Sequence, residues 1–389
     1  MVTIPPQGDA PVSRPRGVSI VVPVEGREGL VRDLLKSIRE CNSPKATQLE
    51  IIIVDSSKGE AAHAIAESCC TYNARCLQGD RSVRKKRNVG ASEASFDHIL
   101  FLDSDCTASK DLLVTYEEFI MAQRNHGPCF AGAGPTVFRG EETWFTERLK
   151  HSSLLGPFQI MDNGATRLWA TTSNLLVSRE AFDAARGFPE NLPFRLGGDD
   201  TDFGLRLAEK DIPLWNVPAA RVHHSWKTWQ RPLAVMRRSF RWGVMQNYLL
   251  AAHPRFRRPA APDFAVYLTL VIIVAFALLY PAGTGALLLP LVFAASSLAG
   301  HALLAGIRNG AFVEGFVTDL VLASVECPFG LGKVWGAIFN HSLRGVFFRL
   351  GRDDRDMNFQ FPEIVADLWF NNLGLLAALF AYACVVANE

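Results

Sequence analysis

The sequence lacks any C-x-x-C pair. Its eight cysteines, at positions 41, 69, 70, 76, 106, 129, 327 and 384, are scattered. That spacing argues against a zinc site and against a disulfide framework, and leaves reduced thiols in a cytosolic domain as the expectation. An excess of charge is also missing. With 40 basic and 39 acidic residues the net charge is +1, so no overall basic field points to nucleic acid. The opening stretch MVTIPPQGDAPVSRPRG holds no apolar run, so no secretory signal peptide is expected there. Its prolines and glycines predict a disordered lead-in over residues 1–16, with the soluble part in the cytosol.

At 389 residues the chain exceeds one small domain and has room for two or three. The hydrophobic fraction, 49%, is unevenly spread. Up to about residue 250 the sequence reads as a soluble α/β protein, and from Phe264 onward it turns strongly apolar. In the first part strands and helices alternate. GVSIVVPV (17–24) and LEIIIVD (49–55) are apolar strands, ARCLQ (74–78) a third, and residues 98–103 a fourth. The spacing of Leu30, Leu34 and Ile38, with Val31 and Leu35 beside them, predicts a helix with one apolar face. Further helices are expected at His63–Cys70, 81–95 and 109–124. This rhythm predicts a doubly wound, mostly parallel sheet. Right-handed crossovers would bring Pro23, Asp55, Gln78 and Asp103 to one edge. In the second half, Ser178 fits a helix N-cap and Gly187 its stop. A helix over 201–210 and the short strand PLWNV follow.

HPRFRRPAAP (253–262) reads as a basic, proline-rich linker. Residues 264–280 and 285–307 carry no charge over 17 and 23 residues, long enough to span a bilayer. A last span is expected near 367–387. Arg255, Arg257 and Arg258 put the linker on the cytoplasmic side. Residues 311–326 contain Glu314, Asp319 and Glu326, so a buried or interfacial helix fits as well as a span. Residues 333–355 mix aromatics with Lys333, Arg344, Arg349, Arg352 and Arg355, which reads as a basic amphipathic helix on an anionic membrane face. Three spans are expected, or four if 311–331 also crosses.

The chemistry concentrates in a few segments. HILFLDSDC (98–106) runs four apolar residues into Asp103 and Asp105. Two carboxylates at the end of a buried strand lie where open α/β sheets bind ligands, and could hold a hard divalent cation bridged to a substrate diphosphate. Asp55 ends its strand in IIIVDSS, where it can accept from a uracil or guanine ring N–H or simply cap the next helix. RSVRKKRNVGASEA sets Arg81, Arg84, Lys85, Lys86 and Arg87 at a helix start. A helix start attracts phosphate, so diphosphate contact by Arg84 and Arg87 competes with a solvated helix face. GGDDTDF offers Asp199, Asp200 and Asp202, one of which could serve as a general base, against a plain capped turn. In VHHSW, His224 could complete a metal shell with Asp105, or could be a core histidine. In RRSFRW, Arg238, Arg241 and Trp242 could hold phosphate and stack an acceptor, or could read lipid headgroups.

From about Val18 to Gly243 these segments, in this order, resemble the family-2 inverting glycosyltransferases of GT-A fold. VSIVVPV resembles the opening strand, IIIVDSS the VDD(G/S)S element, RKKRNVGASEA the ARNxG segment and FLDSDC the DxD motif. TTSNLLVSREAFDAARGFPENL resembles the acceptor-side strand and its turn, GGDDTDFGLRLAEKDIP the ED-x-D segment, and RSFRW the QxxRW helix. Ser56 stands for an acid, Asp199 for a glutamate and Arg238 for the glutamine. The resemblance implies a nucleotide-sugar donor, a UDP-sugar by family habit, and Mg²⁺ or Mn²⁺. It gives Asp55 the base, Asp103 the nucleotide–ribose side, Asp105 and His224 the metal, and Asp200 the general base. Pro23, Val24, Glu25, Ser104, Arg84, Arg87 and Arg241 fall to the donor side, and Ser173, Asn174, Asp199 and Trp242 to the acceptor side. The expected layout is a cytosolic GT-A domain over 17–252 and a helical, multi-pass membrane domain over 253–389 with interfacial helices near 311–355. A lipid or lipid-linked acceptor suits that layout. The competing readings are a processive polysaccharide synthase, against which the Arg238 departure counts, a nucleotidyltransferase on the same sheet, and a membrane scaffold without turnover.

Overall fold

The computed structural model describes residues 14–351, apart from 124, 126, 160–164, 194, 195, 261, 263, 283–288, 298 and 300–311. Contacts divide the chain into two compact units. The first holds Met1–Phe138, Phe158–Glu190 and Arg206–His224, and the second holds Arg139–Pro157, Asn191–Leu205 and Ser225–Glu389.

The first unit is built on a seven-stranded mixed sheet. Strands β1 (Gly17–Val24), β2 (Gln48–Asp55), β3 (Arg75–Gln78) and β4 (His98–Leu102) alternate with helices α1 (Glu28–Arg39), α2 (Glu60–Thr71) and α3 (Val83–Glu93). All eight residues of β1 are buried, the mark of a central strand covered on both faces. Ile20, Val22, Ile51 and Ile53 meet Val31, Leu34, Leu35 and Ile38 of α1 in one core cluster. Burying each such side chain contributes ~1.5–3 kcal/mol. Helix α3 comes down on the sheet at Gly90, where a Cβ would overlap Val21.

After β4 the chain forms β5 (Cys106–Ala108), α4 (Leu112–Gln123), β6 (Ala131–Ala133), β7 (Thr136–Arg139), β8 (Asn174–Ser178), β9 (Leu214–Asn216) and β10 (Val222–Ser225). The sheet order is β3-β2-β1-β4-β8-β6-β9, and a small sheet is ordered β5-β10-β7. The first four strands are parallel as the alternation predicts, but β8 runs antiparallel to both β4 and β6. That reversal puts the start of β8 beside the end of β4, with Asn174 opposite Leu102. The glycine-rich stretch after α4 forms two short strands, β6 and β7. Ser178 caps the short helix α6 (Arg179–Ala184), its hydroxyl accepting from the Ala181 N–H, and Gly187 follows at φ 61°.

The second unit contains α5 (Trp144–Leu149), the first turns of α7 (Asp199–Glu209), α8 (Pro232–Ala252), α9 (Phe264–Ala282) and α10 (Phe312–Phe339). Pro232 opens α8, where its missing N–H costs nothing. The basic segment after α8 is not a free linker. Phe256 is buried, and Arg257–Pro259 pairs antiparallel with Phe348–Leu350. Over the described residues 333–350 the expected basic amphipathic helix is likewise replaced, and 352–355 lie outside the described residues. Residues 333–339 finish α10, Arg344–Phe347 form one helical turn, and 348–350 become a strand. Ladder hydrogen bonds to the 257–259 segment stabilise the extended form there over a continued helix.

Among the described residues one helix, Val317–Phe339, is long and apolar enough to cross a membrane by length and composition, and Val266–Ala277 is a shorter apolar helix. The qualifying helix therefore lies in the segment left open between interfacial and spanning, not in one of the three expected spans. Of those three, the first falls on α9. Most of the second and all of the third lie outside the described residues.

Candidate functional site

At the carboxyl ends of β1 and β2, Val24 stands in register with Asp55, and Asp55 with Gln78. Asp55 is buried, and its Oδ1 accepts from the Ser57 N–H at 2.9 Å and from the Ser57 hydroxyl. Ser57 Oγ in turn accepts from the Gly26 N–H at 2.6 Å. Lys86 adds a second tie, donating from Nζ to the Val24 carbonyl at 2.6 Å and to Ser56 Oγ at 2.9 Å. Burial pulls its ammonium below the ordinary lysine range, against the opposing pull of Glu25 and Asp55. Glu25 is exposed and pairs with Arg81 at 3.1 Å.

Lys86 is the residue that reading for charge alone misses. The signal was in the periodicity of α3. Arg84, Lys86, Arg87, Gly90 and Ala91 are its buried positions, a helical face directed at the sheet. Arg84 is enclosed in that face. Arg87 donates from Nη2 to Asp103 Oδ1 at 2.9 Å and lies 5.4 Å from the centre of the Phe188 ring. Asp103 is thus already ion-paired, with 29% of its side chain still exposed.

Two residues on, the chain turns into β5, and β5 pairs with β10 so that Cys106 faces His224. This register brings His224 Nε2 to 3.2 Å from Asp105 Oδ1. Both side chains are buried, and the Phe138 and Phe158 rings lie 5.0 and 6.2 Å from the imidazole. Asp105 Oδ2 accepts from Arg27 Nη1 at 2.9 Å. Ser104, between the two acids, is buried.

The donor set fits a divalent ion. Ligands on adjacent corners of an octahedron with bonds of about 2.1 Å lie about 3.0 Å apart, close to the 3.2 Å between Asp105 Oδ1 and His224 Nε2. Cys106 completes an Asp–Cys–His group whose ligand atoms lie within 4.8 Å of one another. Burial, with Asp103 and Asp105 nearby, pushes the Cys106 thiol well above its ordinary range. A thiol is a soft ligand and suits a hard ion poorly, so Asp105 and His224 are the two candidates.

Ser173 and Asn174 are fully buried. Ser173 Oγ exchanges hydrogen bonds with Thr136 and Thr171. Asn174 accepts from Tyr116 Oη at 2.7 Å and donates to the Ala220 carbonyl at 2.7 Å. Both brace the edge from inside rather than presenting polar atoms at its surface.

In the second unit, Gly197 and Gly198 lead into α7 with φ of 80° and 76°. These glycines supply close approach more than freedom: a Cβ on Gly197 would crowd the Trp242 indole, and one on Gly198 would crowd Met245. The acids at the helix start then separate. Asp199 and Asp202 are buried, and His253 Nε2 stands 3.0 Å from Asp202 Oδ1. Asp200 is partly exposed, and its Oδ1 accepts from the Thr201 N–H at 2.8 Å. On α8, the Arg238 guanidinium stacks 4.1 Å from the Trp229 ring, whose centre is 6.3 Å from that of Trp242, and Arg241 is exposed.

Residues 19–183 match the family described as Glycosyl transferase family 2. A curated relative, the poly(ribitol-phosphate) beta-N-acetylglucosaminyltransferase TarS of Staphylococcus aureus (strain MW2), is 26% identical over 178 residues, which is 45% of this chain. The match covers 30% of that relative's own length. Among solved structures, the mannosyltransferase PcManGT of Pyrobaculum calidifontis, in complex with GDP-Man and Mn²⁺, is similar in fold. Its TM-score is 0.50 at 19% identity, over 84% of this chain and 88% of that one.

Proposed function

Because residues 19–183 match the family described as Glycosyl transferase family 2, we propose that the chain is a glycosyltransferase that transfers a sugar, with inversion, from a nucleotide-sugar donor to a lipid or lipid-linked acceptor. The observation that carries this reading is the Asp105–His224 pair, 3.2 Å apart, with Asp105 two residues past an Asp103 that is held by Arg87. A divalent cation at that pair would neutralise the diphosphate as it departs. The mixed carboxylate–imidazole set suits Mn²⁺ better than Mg²⁺.

The chain's own residues take the remaining parts. Asp55, fixed by Ser57, receives the base, while Lys86 holds the Val24 carbonyl and the β1–α1 turn in place. Asp103 takes the ribose side, and Arg241 adds positive charge for the leaving group. Asp200, the partly exposed acid of its segment, accepts the proton of the acceptor hydroxyl. The oxygen then bonds to the anomeric carbon from the face opposite the diphosphate. The bond to the diphosphate breaks and its electron pair leaves with the phosphate oxygen.

Membrane attachment rests on exposed apolar side chains. On α9 these are Leu270, Ile273 and Phe276, and at the end of α10 Trp335, Ile338 and Phe339. We assign α9 to insertion and α10 to the interface. Glu326, inside α10, accepts from Ser152 Oγ at 2.7 Å, the Ser153 N–H at 2.8 Å and Ser153 Oγ at 3.1 Å. A carboxylate so occupied near the middle of a helix fits poorly with a place at the bilayer centre.

A thermal-shift comparison of detergent-purified protein against UDP-, GDP- and dTDP-sugars, with and without Mn²⁺, tests the reading. Stabilisation by one nucleotide only when metal is present is expected. No stabilisation by any donor would sink it in favour of a scaffold that keeps the fold without turnover.

A further inference from the structure

Asp105 is contacted on both oxygens, and one contact is a cation from the chain itself. Arg27 Nη1 donates to Oδ2 at 2.9 Å, while Oδ1 lies 3.2 Å from His224 Nε2. The Asp105 side chain is 7% exposed and that of Arg27 48%, so the guanidinium sits at the mouth of the buried carboxylate.

The backbone at Arg27 is unusual in the same direction. It adopts φ 62° and ψ 39°, directly after Gly26 at φ 68°. A left-handed conformation is sterically costly for a residue with a Cβ. The turn is anchored on both sides. The Gly26 N–H donates to Ser57 Oγ, which is itself bonded to Asp55, and the Arg27 carbonyl accepts from the Leu30 and Val31 N–H groups that open α1. The arginine is therefore carried on a fixed turn with its charge directed at Asp105.

We propose that Arg27 is an internal competitor of the divalent cation: its guanidinium occupies Asp105 in the free enzyme and must be displaced before an ion is bound there. The proposal rests on the reading of Asp105 and His224 as metal ligands. Two cations on one small carboxylate repel each other, so ion entry and arginine departure are one exchange. An anionic diphosphate offers the displaced, half-exposed guanidinium a new partner. Metal alone should then bind weakly, and metal with a nucleoside diphosphate more tightly, with the difference depending on Arg27.

The test is the Mn²⁺ affinity of the full chain in detergent, read from the EPR signal of free Mn²⁺, first alone and then with UDP or with GDP. Arg27→Asn keeps a residue type that tolerates the left-handed region, and Arg27→Gly serves if the asparagine variant does not fold. Either variant is expected to bind Mn²⁺ alone about tenfold more tightly, the loss of one charge-assisted contact from the free state. The gain on adding nucleotide should shrink. Equal Mn²⁺ affinity in wild type and variant, abolished in both by Asp105→Asn, overturns the competitor and keeps the metal site. Mn²⁺ binding that is absent, or untouched by Asp105→Asn, overturns the metal reading and the competitor together.

Discussion

Asp202 Oδ1 and His253 Nε2 meet at 3.0 Å with 8% and 3% of their side chains exposed. The contact ties the first turn of α7 to the residue that closes α8. It separates three clustered acids by role, because Asp202 is engaged internally while Asp200, two residues earlier, stays partly exposed.

Asp202→Asn and Asp200→Asn should therefore fail differently. Removing one partner of a buried polar pair costs on the order of 1–3 kcal/mol. Asp202→Asn and His253→Ala are expected to lower the thermal midpoint, with activity falling only as far as the folded fraction does. Asp200→Asn is expected to leave the midpoint within about a degree of wild type. It should reduce transfer by at least ~10²-fold with donor binding retained. Transfer by Asp200→Asn at the wild-type rate would remove that residue from the base role.

Glu117 gives a stability prediction that depends on pH. It sits on α4 and accepts from the Lys45 N–H at 2.9 Å, the Ala46 N–H at 2.7 Å and Thr47 Oγ at 2.8 Å, fastening the segment that leads into β2. Burial alone would push its carboxyl up, but these donors outweigh burial and hold it below the ordinary glutamate range. Glu50 behaves alike: burial is opposed by bonds from Ser19, Ser95 and Arg75, and the net shift is downward. A carboxylate whose folded pKa is depressed adds stability that is complete above its unfolded value and is lost as pH falls through the folded one. Glu117→Gln is thus expected to cost on the order of 1–3 kcal/mol at neutral pH. The gap between variant and wild type should close below about pH 4. Midpoints taken from pH 7 down to pH 3 check this, and a gap that stays constant would show that the charge is not the source.

The first four strands and the helices between them were legible because each carries its own period. A central parallel strand is apolar throughout, as in β1, and an amphipathic helix repeats its apolar face, as in α1. Asp55 and Asp103 follow from strand ends alone. What the sequence could not show are relations set by pairing across long separations. His224 reaches Asp105 through the β5–β10 register, and neither three-residue nor four-residue strand has a pattern strong enough to be read. The enclosure of Asn174 depends on β8 running against β4, which no local signal encodes. Arg27 was overlooked because an arginine in a left-handed turn defies its own propensity. The basic 333–355 segment misled because charge and aromatic content are the same in a helix and in the strand that residues 348–350 form with 257–259.

The contact between α8 and α10 supplies the last prediction, from one chemical change made in two places. Gly332 of α10 lies against the Phe240 carbonyl, and Gly243 of α8 against the Phe329 carbonyl, so that a Cβ on either would overlap backbone. Asn247 joins the same seam, donating to the Lys333 carbonyl at 2.9 Å and accepting from the Gly345 N–H at 3.0 Å. Small residues that let helix backbones touch leave no side chain able to yield. Gly332→Ala should force the helices apart and destabilise by ~1–3 kcal/mol, the range for overpacking. Gly29 lies inside α1 with nothing within 4 Å of an added Cβ. There the same glycine-to-alanine change should stabilise by ~0.4–1 kcal/mol, because the unfolded chain loses freedom and the native helix gains a better former. Midpoints moving in opposite directions for the two variants would establish that backbone contact, rather than glycine's flexibility, is what the α8–α10 seam requires. A rise in both would mean that the helices can separate without cost.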